Sequence, residues 1–442
     1  MQQPDTSTAA ETSKPGRRRR FLRPKPIIWT LVSVLAFCVV VMGVSAFVAK
    51  SSVDKLMAEA RELAASINDP AAMADRAEAM RSAAQTAHFA TAHPIWRVTE
   101  VLPFVGDDLR AVRVLASTAD DLIESASPLL EFDFASLGPN DGALNLDAVD
   151  ELGAIVAEVA PVIDKTNVRL VAQGVDTSSL LTPLRGPAET VVESVDTAAQ
   201  VARRFAMIAP QLSDMLGAES PQNYLLLVQN NAEARTTGGN PGTQLMLTLD
   251  QGRMSITQQA SAVELGAGRE TPVVALNEWT EALYGDKVGR YPQDTTMTPD
   301  FRQTAHISRA FWQESIGDPG RAVISIDPVA LGYLLKATGP VPVSDNMDIT
   351  SENAARLLLN KIYFTYPSYN DTAAQDAFFG KAADAIFGAI LAPKNGLGAL
   401  VTQIVRGASE GRIMYASTDP NEAAAVAGTR LQGPLFEDDN ST

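Results

Sequence analysis

Between two short apolar runs, Tyr224 to Val228 and Thr243 to Leu249, the chain carries Gln229-Asn230-Asn231-Ala232-Glu233-Ala234-Arg235-Thr236-Thr237-Gly238-Gly239-Asn240-Pro241-Gly242. This polar segment is longer than a plain turn requires, and long loops between core strands are disproportionately functional. Arg235 offers a planar, permanently charged fork, and Thr237, Gly238 and Gly239 beside it could present backbone N–H groups. An oxyanion such as a phosphate suits that composition, with Asn230, Asn231 and Glu233 next to it. The alternative is an ordered connection whose Asn and Thr side chains satisfy its own backbone. A second polar block, Tyr284 to Asp294, could line the same cleft. There Arg290 is a candidate second phosphate contact. Asp294 is a candidate magnesium ligand, since Mg²⁺ is commonly held by one or two carboxylates plus phosphate oxygens. A solvated loop is the alternative for this block.

Other chemistries are excluded. Gly407-Ala408-Ser409-Glu410-Gly411 fits the G-x-S-x-G pattern of a nucleophile elbow, but that site needs a later histidine and none follows His306. His88 and His93 lack the i, i+4 spacing and intervening Glu of a helical zinc site and read as surface residues. No glycine pattern of a P-loop or dinucleotide fold is present.

The elements that must position these residues fall into two textures. From Ser51 to about Leu216 apolar residues recur with a 3.6-residue period. One stripe runs from Val53 through Leu56, Met57 and Leu63 to Ile67, and a second from Leu109 through Ala116, Ala119 and Ile123 to Ala126. A third runs from Leu152 to Ile163. The fourth runs from Val191 to Ile208, with Pro187 suited to a first helical position. These predict an α-helical bundle or stalk over 51–216. Membrane-parallel helices would normally carry Lys and Arg on the polar face, whereas Asp and Glu are prominent here.

At Asn223 the pattern changes to short strands alternating with helices, which predicts a layered α/β domain over 221–436. Asp250-Gln251-Gly252 reads as a hairpin turn. Thr298-Pro299-Asp300 reads as a cap, a first-turn proline and a first-turn carboxylate for a helix to about Ile316. Ala322 to Ile326 reads as a strand, followed by a helix capped by Asp327 and opened by Pro328. Helices are expected near Ser351 to Tyr363 and Thr372 to Leu391, and the acidic end 437–442 reads as a disordered tail.

The first fifty residues bound the location. Ile27 to Ala49 is an uncharged run of 23 residues, roughly 35 Å as a helix at about 1.5 Å per residue, enough to cross a bilayer. Residues 1–26 carry seven Lys and Arg against two carboxylates, a flank that stays cytoplasmic. A single-pass anchor at the cell membrane with an extracytoplasmic remainder is therefore expected. The alternative is a signal peptide cleaved after Val44-Ser45-Ala46, although the run exceeds the usual signal core. Of 36 Lys and Arg and 52 Asp and Glu, 29 and 50 remain outside the tail, a net charge of −21. Nucleic acid is thereby excluded as an expected partner. The only cysteine, Cys38, lies within the apolar run, so the exported part forms no disulfide and no thiolate zinc site.

The strings NYLLLVQNNAEARTTGG, RYPQDTTMTPDF and ISIDPVALGYLLKATGPVPV resemble the uncharacterised bacterial membrane-protein family called domain of unknown function 4012, over nearly the whole chain. More distantly, element order resembles the LytR-CpsA-Psr phosphotransferases, single-pass proteins that move lipid-pyrophosphate-linked glycans onto the cell wall. That likeness implies their fold, a phosphotransferase-like activity with magnesium, and Arg235 as a pyrophosphate contact. The chain departs from their pattern at several charged positions. Thr237-Gly238-Gly239 stands where they have Arg-Ser-Asp, Ser261 to Glu264 where they have Pro-Arg-Asp, and no arginine accompanies Lys361-Ile362-Tyr363 or Ala374-Gln375-Asp376. Transfer on pyrophosphate needs cations to neutralise developing charge, so the fold is expected to persist without that chemistry being assured. Two functions are left. One is binding or transfer of a polyprenyl-phosphate-linked glycan; the other is a non-catalytic envelope scaffold whose helical region recruits partner proteins.

Overall fold

The 3.6-residue stripes of the first half form long helices because each can bury its apolar face against a neighbour. The computed structural model describes residues 24–434 except 64–65, 67–68, 139–141 and 345–346, and gives only the backbone of 24–39, 70, 368–373 and 376. The basic tail up to residue 23, Ile67 of the first stripe and the acidic tail 437–442 lie outside the described residues. Helix α1 (Pro24–Leu63) is followed by α2 (Pro70–Ala92), α3 (Pro94–Thr99), α4 (Gly106–Leu130), α5 (Leu146–Ala172), α6 (Thr182–Ile208) and the short α7 (Leu212–Met215). α1 packs on α2, α2 on α4, and α4, α5 and α6 on one another. The predicted stripes supply the cores. Leu56 of α1 meets Met80 and Ala84 of α2 and Ala119 and Ile123 of α4, while Val159 and Ile163 of α5 meet Ala199 of α6.

Three details differ from the expectations for this half. α1 runs unbroken through the expected boundary at residue 50, so the apolar run 27–49 and the first stripe as far as Leu63 share one 40-residue helix. Among the described residues no helix is long and apolar enough to cross a membrane, and the side chains of the run are described only from Val40 onward. Pro187 lies inside α6 and not at its first position, because Pro183 already occupies the first turn of a helix that begins at Thr182.

The second half adds β1 (Gln222–Arg235), β2 (Gly238–Asp250), β3 (Arg253–Ser261), α8 (Glu278–Tyr284), α9 (Lys287–Arg290), α10 (Phe301–Ser315), β4 (Ala322–Ile326) and α11 (Pro328–Thr338). After these come β5 (Val341–Ser344), β6 (Met347–Ile349), α12 (Ala354–Arg356), α13 (Ile362–Thr365), α14 (Ser368–Ile390), α15 (Gly396–Ser409), β7 (Ile413–Ser417) and α16 (Pro420–Val426). Five strands form one sheet in the order β3-β2-β1-β4-β7, parallel only between β1 and β4. Strand side chains alternate between faces, and both faces are covered. Leu225, Leu227, Met246 and Val323 pack with Phe301 and Trp312 of α10. Leu226, Leu245 and Leu247 pack with Leu335 of α11, Ile386 of α14 and Leu400 of α15. The result is a mixed α/β arrangement, a helical N-terminal part followed by a three-layer sheet part.

Turn chemistry explains several boundaries. Gln251 and Gly252 both have positive φ, 49° and 73°, as a two-residue hairpin turn between right-twisted strands requires. The expected cap moves by two residues. Asp300 itself caps α10 through the Arg302 N–H, and Pro299 stays outside the helix, because Thr298 Oγ1 instead bonds Gln303 and Asp300. The expected helix 351–363 is broken into α12, a π-helical turn Leu357–Lys361 and α13. Asp327 and Pro328 cap and open α11 as expected, with Asp327 accepting from the Ala330 N–H at 2.8 Å.

Candidate functional site

The polar segment 229–242 is not a loop. β1 and β2 continue through it as a hairpin that closes at Arg235 opposite Gly238, with irregular pairing between Val228 and Arg235. Its glycines serve that closure. Gly238 has φ +121°, and a Cβ there would lie 2.1 Å from Gln229 Oε1; a Cβ on Gly239 would lie 2.3 Å from the Asn230 carbonyl oxygen. The Gly239 N–H donates to Gln229 Oε1, and the Thr237 N–H and hydroxyl both donate to the Thr296 carbonyl. Thr237, Gly238 and Gly239 therefore pin the hairpin, and these two amides are already engaged within the protein.

The parallel pairing of β1 with β4 ends at Val228 beside Ile326, with β1 running on to Arg235, and in α/β sheets ligands bind outside such carboxyl ends. Here β1 delivers Asn230, Asn231, Glu233 and Arg235, and β4 delivers Asp327. Asn231 Nδ2 donates to Asp327 Oδ2 at 3.0 Å, and Arg412, just before β7, donates to the same oxygen at 2.7 Å. Arg412 also reaches Glu410 at 2.8 Å, and Tyr333 and Arg406 bond that carboxylate at 2.8 and 2.9 Å. These hydrogen bonds, from Arg412 first and then Tyr333 and Arg406, lower the Glu410 pKa from 4.5 to about 2. Arg235 is held more loosely. It donates to the Glu233 and Ala234 carbonyls at 3.3 and 3.2 Å and faces Asp294 Oδ1 at 3.6 Å.

Below this end, between the sheet and the α13–α14 layer, lies a narrow apolar slot. Val228, Leu245, Leu331, Leu358, Leu359, Phe379, Ala383, Ile386 and Phe387 line it. It contains about 730 Å³ of empty space counted out to solvent, of which only about 100 Å³ admits the centre of a water molecule. Apart from a few polar residues its lining is aliphatic and aromatic, which suits a hydrocarbon group. Its wall includes Leu358 and Leu359 of the π-helical turn, a feature frequent at functional sites. Its polar lining includes Asn230, Glu233, Asn240 and Tyr363. Asn230 Nδ2 donates to the Tyr363 hydroxyl at 3.2 Å and Asn240 Nδ2 to Glu233 at 2.9 Å. Asn240 Oδ1 is buried and has no hydrogen-bond partner among the described residues.

The remaining candidates are placed elsewhere. Arg290 is engaged by the Arg269 carbonyl at 2.6 Å and Asp286 at 3.1 Å, and does not line the slot. Asp294 has Arg235 as its ionic partner at 3.6 Å, and among the described residues no group of three or more His, Cys, Asp or Glu could hold a metal ion. Ser409 ends a helix instead of following a strand, and its hydroxyl donates to the Arg406 carbonyl. His88 is half-buried against Asp120 at 2.6 Å, and His93 caps α3. Sequence reasoning did not reach Arg412, Tyr363 as a slot residue, or Asn240. The continuous apolar run Ile413-Met414-Tyr415-Ala416 was the available signal for β7, and hence for an arginine at its start.

No curated protein and no solved structure matches the chain. A family model does match, over residues 219–363, a shorter stretch than the resemblance read from the sequence. It covers β1 to β4 and the π-helical turn and stops at Tyr363, before the α14 wall of the slot. The segment 219–363 is thus a domain of the family described as protein of unknown function, DUF4012.

Proposed function

We propose that this is a single-pass, membrane-anchored protein of the cell envelope whose sheet part binds a polyprenyl-phosphate-linked glycan. The observation that carries the reading is the narrow apolar slot with hydrogen-bond acceptors on its polar side. An isoprenoid chain gains about 25 cal/mol for each Å² of apolar surface it buries. Glycan hydroxyls can donate to Glu233 and to Asn240 Oδ1, one of the acceptors without a partner among the described residues. Arg235 stands outside the slot's lining, at the hairpin tip two residues beyond Glu233, and with its ionic partner at 3.6 Å it supplies the planar fork a phosphate prefers. The anchor is supported by the uncharged run 27–49 and its seven-cation flank, which would put the sheet part outside the cytoplasm. We further propose a fold likeness to the LytR-CpsA-Psr phosphotransferases without their transfer reaction, since the charged positions that reaction needs are replaced.

Mass spectrometry of the detergent-extracted full-length protein tests this directly. A co-purifying polyprenyl phosphate or its glycan conjugate is expected. A protein that carries only bulk phospholipid, in the proportions of the membrane, would sink the proposal. The second reading, a scaffold that recruits partners through its helices, is favoured by Val168 and Val171, both exposed on α5. Copurification of a stoichiometric protein without lipid would select it.

A further inference from the structure

We infer that the segment Val98–Val105, the end of α3 and its connection to α4, dips into the same membrane leaflet that α1 enters, giving the protein a second lipid contact beside its anchor. The inference rests on the anchored reading of α1 and adds a site that the apolar run alone does not imply. Val98, Val101, Leu102, Phe104 and Val105 are all exposed, Phe104 at 98% and Val101 at 81%. Isolated exposed apolar residues are ordinary, but five within eight consecutive positions mark an interaction surface. Phe104 has φ +73°, a conformation rare for a bulky residue, and it leaves the ring almost wholly in the open.

Location commits the surface to lipid. Thr99 Oγ1 lies 3.9 Å from Met42 Sδ on α1. Met42 stands seven residues before Ala49, the end of the apolar run, or about 10 Å along the helix. If residues 27–49 cross the bilayer, a segment touching Met42 lies at hydrocarbon depth. Nearby on α1, Val40, Val44 and Phe47 are likewise exposed and recur along one helical stripe. Part of the backbone is satisfied internally: the amides of Glu100, Leu102 and Gly106 donate to the carbonyls of Trp96, Thr99 and Leu102, and residue 103 is a proline with no N–H. The only charged side chain within 98–105, Glu100, is paired with both Nε and Nη2 of Arg113. Trp96 is fully buried at the base.

The test uses full-length protein reconstituted in phosphatidylglycerol–phosphatidylethanolamine vesicles. A Cys38→Ser, Phe104→Cys variant carries an environment-sensitive fluorophore at position 104, and a separate sample carries it at native Cys38. The expected result is a blue-shifted label at 104, quenched by spin-labelled lipid and protected from aqueous iodide. A label at 104 quenched only by iodide, while the protein still floats with the vesicles and Cys38 is lipid-quenched, would overturn the loop and leave the anchor standing. A label shielded from both quenchers would overturn it in favour of contact with a second copy. Protein that does not float with the vesicles would remove both the loop and the anchor.

Discussion

Arg235 and Arg412 stand at the same end of the sheet and differ in how firmly they are held. Arg412 has partners at 2.7 and 2.8 Å, whereas the ionic partner of Arg235 is at 3.6 Å, beyond hydrogen-bond range. The two side chains are 24% and 19% exposed, but a pair of that length without a hydrogen bond is worth about 0 to 1 kcal/mol, so removing Arg235 costs little stability. Arg235→Ala should therefore leave the Tm nearly unchanged while sharply reducing retention of a polyprenyl phosphate, and Arg235→Lys should restore it only in part. Unaltered retention by a folded Arg235→Ala protein would strip this residue of its role. Glu410 makes a pH-dependent prediction. Its folded pKa is depressed to about 2 from 4.5, so its contribution is full above about pH 4.5 and is lost as pH falls through about 2. The Tm difference between wild type and Glu410→Gln should shrink across that window, and a difference constant from pH 7 to 2 would refute the assignment. At this scale the sequence revealed Arg235 by its neighbours but hid Arg412. The carboxylate that gives Arg412 meaning, Asp327, is 85 positions away.

Elements were legible where local signals agreed with their tertiary setting. The strand 322–326 and the Asp327-Pro328 start of α11 combine a continuous apolar run with a cap, and both are found in place. The hairpin tip was not legible, because Thr236-Thr237 lacks the Asn-Gly chemistry that announces a tight turn, and its polar strands continue beyond the packed core. α2 was missed because alanines make most of its buried face, which blurs the apolar period. The π-helical turn has no sequence signature at all. The junction between helices and sheet depends on a charge cluster that only the fold assembles. Arg321, entering β4, bonds Glu422 through Nε, Asp214 at 2.8 Å and Gln211 at 3.1 Å. Glu422 is 1% exposed and also accepts from Tyr415, whose hydroxyl is pushed well above its ordinary pKa by burial and then by Glu422. Arg321→Ala should destabilise the protein by about 3 to 5 kcal/mol, because it strands a buried carboxylate. Adding Glu422→Gln should recover part of that loss in a denaturation midpoint. A single variant within about 0.5 kcal/mol of wild type would show the cluster to be inert.

For the molecule as a whole, two predictions concern where it sits and what it holds. A reporter fused after Thr442 should be active outside the cytoplasm and remain with the membrane fraction, whereas recovery of a soluble form beginning near Phe47 would establish signal cleavage. The ligand claim rests on the slot, and Ala383, 8% exposed in its wall, gives access to it without touching the polar end. The decisive measurement is retention of a labelled polyprenyl phosphate by full-length wild type and Ala383→Phe, each checked for an unchanged melting transition. The account predicts at least about a tenfold loss of affinity in the filled slot, about 1.4 kcal/mol. Equal retention by a well-folded Ala383→Phe protein would contradict it.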